Sequence, residues 1–153
     1  MRIYLTGFMG SGKSTVGRVL AQSLQYEFVD LDTEIERKAG QTIVEIFSES
    51  EEVFRKLETA CLQSILKKDI VIATGGGCFI HNQPWMLENG KVIYLYVTLE
   101  QLAARIGADP NRPLWRNAEA LYREREVVYR TAHLVVDGTG APETVADAIR
   151  VNL

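Results

Sequence analysis

Gly7-Phe8-Met9-Gly10-Ser11-Gly12-Lys13-Ser14 is the stretch whose reading decides the fold. Gly7, Gly12, Lys13 and Ser14 stand at the spacing of a phosphate-binding loop. Glycines let successive backbone N–H groups curl around an anion, where a Cβ would block the approach and disfavour positive φ. Lys13 carries a mobile positive charge for β- and γ-phosphates, and the Ser14 hydroxyl is a ligand for Mg²⁺. The flanking sequence has the required form. Arg2 to Thr6 reads as a buried strand before the loop, and Val16, Val19, Leu20 and Leu24 recur at helical spacing after it. Strand, loop and helix together imply a site for a nucleoside triphosphate.

Working outward, 153 residues are most simply one domain with a substantial core. A hydrophobic content of 46% with 24% charged residues is that of an ordinary globular chain. A net charge of −3 argues against a general nucleic-acid binder. No apolar run reaches the length of a membrane span and no signal-peptide pattern opens the chain, so the expected location is the cytoplasm, without a membrane partner. Cys61 and Cys78 lack a metal-ligand spacing, and Cys61 reads as a buried thiol. Two histidines, His81 and His133, are too few for a histidine-rich metal site.

Strands are predicted near 2–6, 28–30, 70–74, 92–97 and 134–137. Helices are predicted near 13–24, 32–39, 51–67, 82–89, 99–106, 116–130 and 142–151. Short apolar strands alternating with helices imply a parallel sheet covered on both faces.

In such a sheet, ligands bind at the carboxyl ends of the strands. The phosphate loop follows the first strand, Asp30 ends the second with Asp32 two positions on, and Gly75-Gly76-Gly77 follows the third. Asp30 is placed to hold Mg²⁺ directly or through water, beside Ser14. Asp32 could accept a substrate hydroxyl and take its proton, or it could be the N-cap of the next helix. The glycines let backbone N–H groups approach a small anionic or hydroxylated ligand.

On the helix near 51–67, Val53, Phe54, Leu57, Cys61 and Ile65 form the apolar stripe. Arg55 and Glu58 share another face, and their spacing alone reads as an exposed ion pair. Arg105, Arg112, Arg116, Arg123, Arg125 and Arg130 crowd the segment 105–130. Such a run is a solvated basic face by default. In a phosphotransferase it can also be a mobile lid that excludes water and neutralises transition-state charge.

These residues resemble the shikimate kinases, ATP-dependent enzymes of the P-loop, nucleoside-monophosphate-kinase-like α/β fold, a three-layer α/β/α arrangement on a five-stranded parallel sheet. The resemblance runs from Ile3 to about Pro142. It rests on the ordered series of the phosphate loop at 7–15, Asp30-Leu31-Asp32, Glu45-Ile46-Phe47, Glu51 to Arg55 with Glu58, Gly75-Gly76-Gly77, Arg112-Pro113-Leu114, and Arg125 with Tyr129. It implies one kinase domain over 1–153, with a substrate-binding region at about 32–60 and a lid at about 107–124.

The resemblance also implies roles. Gly10, Ser11, Gly12, Lys13, Ser14, Thr15, Arg105, Arg112 and Pro142 would bind ATP, with Arg105 and Pro142 on the adenine side. Asp32, Arg55, Glu58, Gly75, Gly76, Gly77 and Arg125 would bind shikimate. There Arg55 and Arg125 would hold the carboxylate and Glu58 would orient Arg55. Asp32 would be the base toward the 3-hydroxyl, Lys13 and Arg112 would stabilise the transferring phosphoryl group, and Ser14 and Asp30 would hold Mg²⁺. A monomer is expected.

Four features depart from the family pattern. Ser50 stands where glycine is expected and Val127 where proline is frequent. Trp115 and Arg116 replace smaller or apolar residues. Only 12 residues separate Arg112 from Arg125, a short lid.

Two rival readings remain. A gluconate-kinase-like or nucleoside-monophosphate kinase explains the loop and the arginines equally well, but not Asp32, Arg55, the glycines and Arg125 as one pocket. A non-catalytic nucleotide-binding regulator is not favoured by a chain that keeps Lys13, Ser14, Asp30, Asp32 and Arg112. No Asn-Lys-x-Asp motif marks a guanine-reading switch.

Overall fold

A computed structural model describes residues 1–106 and 113–153, with the side chains of 106 and 113–116 outside the description. Arg112, expected in the lid, therefore lies outside the described residues.

Five parallel strands form one sheet: β1 (Arg2–Thr6), β2 (Glu27–Asp30), β3 (Ile70–Ala73), β4 (Lys91–Tyr96) and β5 (Leu134–Asp137), in spatial order β2-β3-β1-β4-β5. The strands are apolar on both sides, so alternate residues feed two cores. Ile3, Leu5, Val71, Ile93 and Leu95 pack beneath α1 (Lys13–Leu24) and α8 (Pro142–Arg150). Tyr4, Ile70, Ile72, Val92 and Tyr94 face the opposite cluster, with Phe54 and Leu62 of α4 (Glu51–Ser64), Phe79 and Met86 of α5 (Cys78–Asn89), Leu102 of α6 (Leu99–Ile106) and Tyr122 and Tyr129 of α7 (Pro113–Tyr129). The result is the expected three-layer arrangement. α2 (Leu31–Ala39) and α3 (Ile43–Glu49) complete the element order.

The register aligns the strand ends that carry chemistry. Leu5 of β1 and Asp30 of β2 both pair with Ala73 of β3. The Thr74 amide and hydroxyl then both donate to the Leu5 carbonyl, at 3.1 and 2.8 Å. From these neighbouring strands the chain leaves toward opposite faces, α1 on one and α5 on the other. That divergence is the topological switch point where an open α/β sheet forms its ligand crevice.

Three expectations are corrected. α3 was not anticipated: seven residues give too little periodicity, although Thr42 caps the helix by accepting from the Glu45 amide at 3.1 Å. α5 begins at Cys78, not 82. Pro84 cannot donate within the helix, and the chain departs from helical geometry at Asn82 (φ −132°), whose side-chain Nδ2 donates to the Cys78 carbonyl at 3.0 Å. The stripe on α4 is displaced. Val53 and Leu57 are 48% and 37% exposed, whereas Phe54, Glu58, Cys61 and Leu62 are buried. The inward face accommodates the charged Glu58 because Arg55 turns in with it.

Ser50 needs no glycine. Its backbone is extended (φ −165°), its amide ends α3 on the Ile46 carbonyl, and its hydroxyl begins α4 on the Val53 amide.

Candidate active site

The phosphate loop joins β1 to α1 with Gly7, Gly10 and Gly12 all at positive φ (153°, 82° and 93°), backbone that side chains resist. Gly12 is the α1 N-cap and supplies no side-chain cap, so the amides of the first turn are oriented by the loop alone. Lys13 folds back over the loop and donates to the Gly7 and Phe8 carbonyls at 2.5 and 3.2 Å. Burial pushes its ammonium down to about 8. Asp32 opposes that shift, and Arg125 adds to it. These three charges therefore feel one another across the crevice.

Asp30 and Asp32 divide their work. Asp30, not Asp32, is the N-cap of α2: its Oδ1 accepts from the Thr33 amide at 3.2 Å and its Oδ2 from the Ser14 hydroxyl at 2.6 Å. The N-cap reading of Asp32 thus fails, because the cap is taken two residues earlier. Asp32 Oδ1 is buried with no hydrogen-bond partner among the described residues. Burial, then the charge of Asp30, raises its carboxyl above the usual range, and Lys13 opposes this. A carboxylate so placed has a free lone pair and a heightened basicity, both useful for proton abstraction.

The three glycines each meet a different polar side chain. A Cβ on Gly75 would lie 3.1 Å from Asp32 Oδ1, one on Gly76 3.0 Å from Arg125 Nη1, and one on Gly77 2.6 Å from Arg55 Nη2. None of the three has positive φ. Close approach, rather than a special turn, is what calls for glycine here. Two guanidinium groups and one carboxylate thus converge on three consecutive residues.

The Arg55 guanidinium is held on several sides. Its Nη1 donates to Glu58 Oε1 at 2.9 Å, and its Cζ lies 5.0 and 5.9 Å from the ring centres of Phe54 and Phe47. The exposed ion pair expected from spacing is therefore a buried one, with Glu58 1% and Arg55 15% exposed. Burial raises the Glu58 carboxyl, against the pull of Arg55. Phe47, part of the Glu45-Ile46-Phe47 segment on which the family resemblance rests, thus lies against Arg55. Cys78, wholly buried beside Glu58 and Asp32 with its thiol pushed well up, carried no signal in the sequence.

Arg105 stands apart from this cluster. It spans the outer side of the phosphate loop, donating to the Gly10 carbonyl at 3.0 Å and the Gly138 carbonyl at 2.9 Å. Pro142 opens α8 four residues beyond Gly138, and Thr15 is exposed on α1. Ser11 is buried in the loop. Among the described residues no group of three or more His, Cys, Asp or Glu side chains is arranged to hold a metal ion, and no helix is long and apolar enough to cross a membrane.

The chain matches the family model described as shikimate kinase over residues 9–153. It is 42% identical over 145 residues to a shikimate kinase from Bacillus cytotoxicus, covering 90% of this chain and 88% of that protein. Its fold matches the crystal structure of shikimate kinase from Aquifex aeolicus vf5 with a TM-score of 0.89 at 36% identity, over 99% of this chain and 95% of that one. It also matches the shikimate kinase from Acinetobacter baumannii in complex with shikimate, with a TM-score of 0.88 at 41% identity, over 97% and 90% of the two chains.

Proposed function

The chain belongs to the shikimate kinase family, and from that premise we propose that it transfers the γ-phosphoryl group of ATP to the 3-hydroxyl of shikimate, giving ADP and shikimate 3-phosphate. One observation carries the assignment of residues: Asp32, Arg125 and Arg55 meet Gly75, Gly76 and Gly77 in turn, beside Lys13. Arg55 and Arg125 hold the acceptor's carboxylate with paired N–H groups. Glu58 and the two phenylalanine rings fix the Arg55 fork. The glycines leave room for the ring.

Asp32 takes the proton of the attacking hydroxyl as the phosphoryl group departs. Lys13 and the loop amides neutralise the phosphate oxygens, and the role of Arg112 there rests on the sequence resemblance alone. Arg105 and Pro142 border the adenine.

The Ser14 hydroxyl and Asp30 carboxylate, already 2.6 Å apart, fit Mg²⁺, which needs few protein oxygens when phosphates supply others. When bound, that ion supplies charge neutralisation on the phosphates.

The reading is of one kinase domain, with its substrate-binding region at about 32–60 and its lid at about 107–124. It works as a cytoplasmic monomer with no nucleic-acid or membrane partner. Incubating the purified protein with ATP, Mg²⁺ and, separately, shikimate, gluconate and nucleoside monophosphates tests the reading. ADP release is expected with shikimate. Turnover of another acceptor with none on shikimate would overturn it.

A further inference from the structure

One face of α7 is pinned across the sheet ends by three side chains at i, i+4 and i+7. Tyr122 donates to the Val97 carbonyl at 2.8 Å and its ring meets Phe8 of the phosphate loop edge-on at 5.3 Å. Glu126 accepts from Tyr94 and, at 2.6 Å, from Arg130. Tyr129, 0% exposed, lies with its ring 4.9 Å from that of Tyr94 and donates its hydroxyl to the Gly76 carbonyl. The third contact differs from the others because of its surroundings. Gly76 is the residue pressed against Arg125, with its Cβ position 3.0 Å from Arg125 Nη1 and 3.6 Å from Tyr129 Oη. Arg125 and Tyr129 are one helical turn apart on the same helix. One hydroxyl therefore ties the helix that carries Arg125 to the glycine that Arg125 faces.

We infer that Tyr129 is a positioning residue for acceptor binding: through the Gly76 carbonyl it sets the gap between the triple-glycine turn and the Arg125 guanidinium. The inference rests on the assignment of shikimate as acceptor. A carboxylate gripped between two guanidinium groups is sensitive to their separation, since charge-assisted bonds lose strength quickly with misalignment. Tyr122, not Tyr129, makes the contact of α7 with the phosphate loop, and Gly76 lies nearer Arg125 Nη1 (3.0 Å from its Cβ position) than the Gly7 carbonyl (3.7 Å), so the effect of Tyr129 should fall mainly on the acceptor side.

Tyr129→Phe keeps the ring on Tyr94 and deletes only the hydroxyl. The KM for shikimate is expected to rise by about tenfold, as for one lost hydrogen bond to a binding site, with the KM for ATP within about twofold. Tyr94→Phe, which removes a neighbouring buried hydroxyl bonded to Glu126 but not to Gly76, is the control and leaves the KM for shikimate in place. Should Tyr129→Phe be too unstable to assay at ambient temperature, calorimetric titration of it with shikimate and with Mg-nucleotide at reduced temperature reads the same selective loss. An unchanged KM for shikimate, equal rises for both substrates, or an equal rise in Tyr94→Phe would overturn the inference. Wild-type protein inactive on shikimate would instead overturn the acceptor assignment.

Discussion

Arg55 donates from Nη1 to Oε1 of Glu58 at 2.9 Å, and the carboxylate that receives it is almost wholly buried. An ion pair three residues apart on a helix is worth little when solvated. Buried, it becomes an obligation, since removing one partner strands the other. Its value here is geometric: Glu58 holds the guanidinium against Gly77, where a second fork from Arg125 is one residue away.

Arg55→Ala is expected to weaken shikimate binding by about 2–5 kcal/mol, the cost of truncating a desolvated charge pair. It also leaves Glu58 unpaired. With the downward pull of Arg55 gone, burial raises the Glu58 carboxyl further above 4.5. A raised carboxyl in the folded state favours folding at acid pH, and that advantage is lost as pH rises. The loss of Tm should therefore be small near pH 4 and grow toward neutrality. Arg55→Ala/Glu58→Gln should regain Tm at pH 7 without regaining affinity. Thermal unfolding across pH with calorimetric titration of shikimate separates the two effects. Unchanged affinity in Arg55→Ala would return the pair to a purely structural role.

Lys13 leads to a proton-linked prediction. Burial holds its ammonium near 8 rather than 10.5, so between those values the free site has shed a proton. Bound phosphates restore the charge, and binding must then take up a proton. Titrating the protein with Mg-nucleotide in buffers of different ionisation enthalpy should show uptake approaching about one proton at pH 9 and close to none at pH 7. The kcat/KM for ATP should decline above about pH 8. Lys13→Met abolishes the uptake. Equal proton release or uptake at the two pH values would remove Lys13 from the linkage.

The phosphate loop and the parallel sheet were legible because each depends on local pattern, and the rule that ligands gather at strand ends brought Asp30, Asp32 and Gly75-Gly76-Gly77 to one crevice, whereas Arg55, Glu58 and Arg125 joined it only through the family resemblance. What escaped depends on contacts between segments distant in the chain. Burial of Glu58 is decided by Arg55 and by what lies opposite α4, so spacing alone misread the helix's inner face. The Thr42-x-x-Glu45 signature of α3 was present in the sequence. A seven-residue helix adds too little periodicity for that signature alone to mark it. Spacing also could not say which aspartate caps α2. The extended backbone of Asp30 at the end of β2 decides it, since α2 starts at Leu31 and the Asp30 carboxylate reaches both the Thr33 amide and the Ser14 hydroxyl.

That division between the aspartates makes Asp32 the informative residue to change. Its folded carboxyl is raised by burial and by Asp30, so the folded state holds a proton more tightly than the unfolded chain does. The stability this gives is present at low pH and lost as pH rises through the folded value, leaving at neutrality a buried charge that Lys13 and Arg55 compensate only in part. Asp32→Asn keeps the shape and removes both that charge and the base. At pH 7 its Tm should exceed that of wild type, and the difference should vanish toward pH 4. Its kcat on shikimate should fall by about 10²–10⁴, the usual contribution of a general base, with little change in KM. A gain in stability alongside a loss confined to kcat identifies a site that sacrifices folding energy for chemistry. If kcat survives and only KM rises, Asp32 binds the acceptor's hydroxyls without taking the proton.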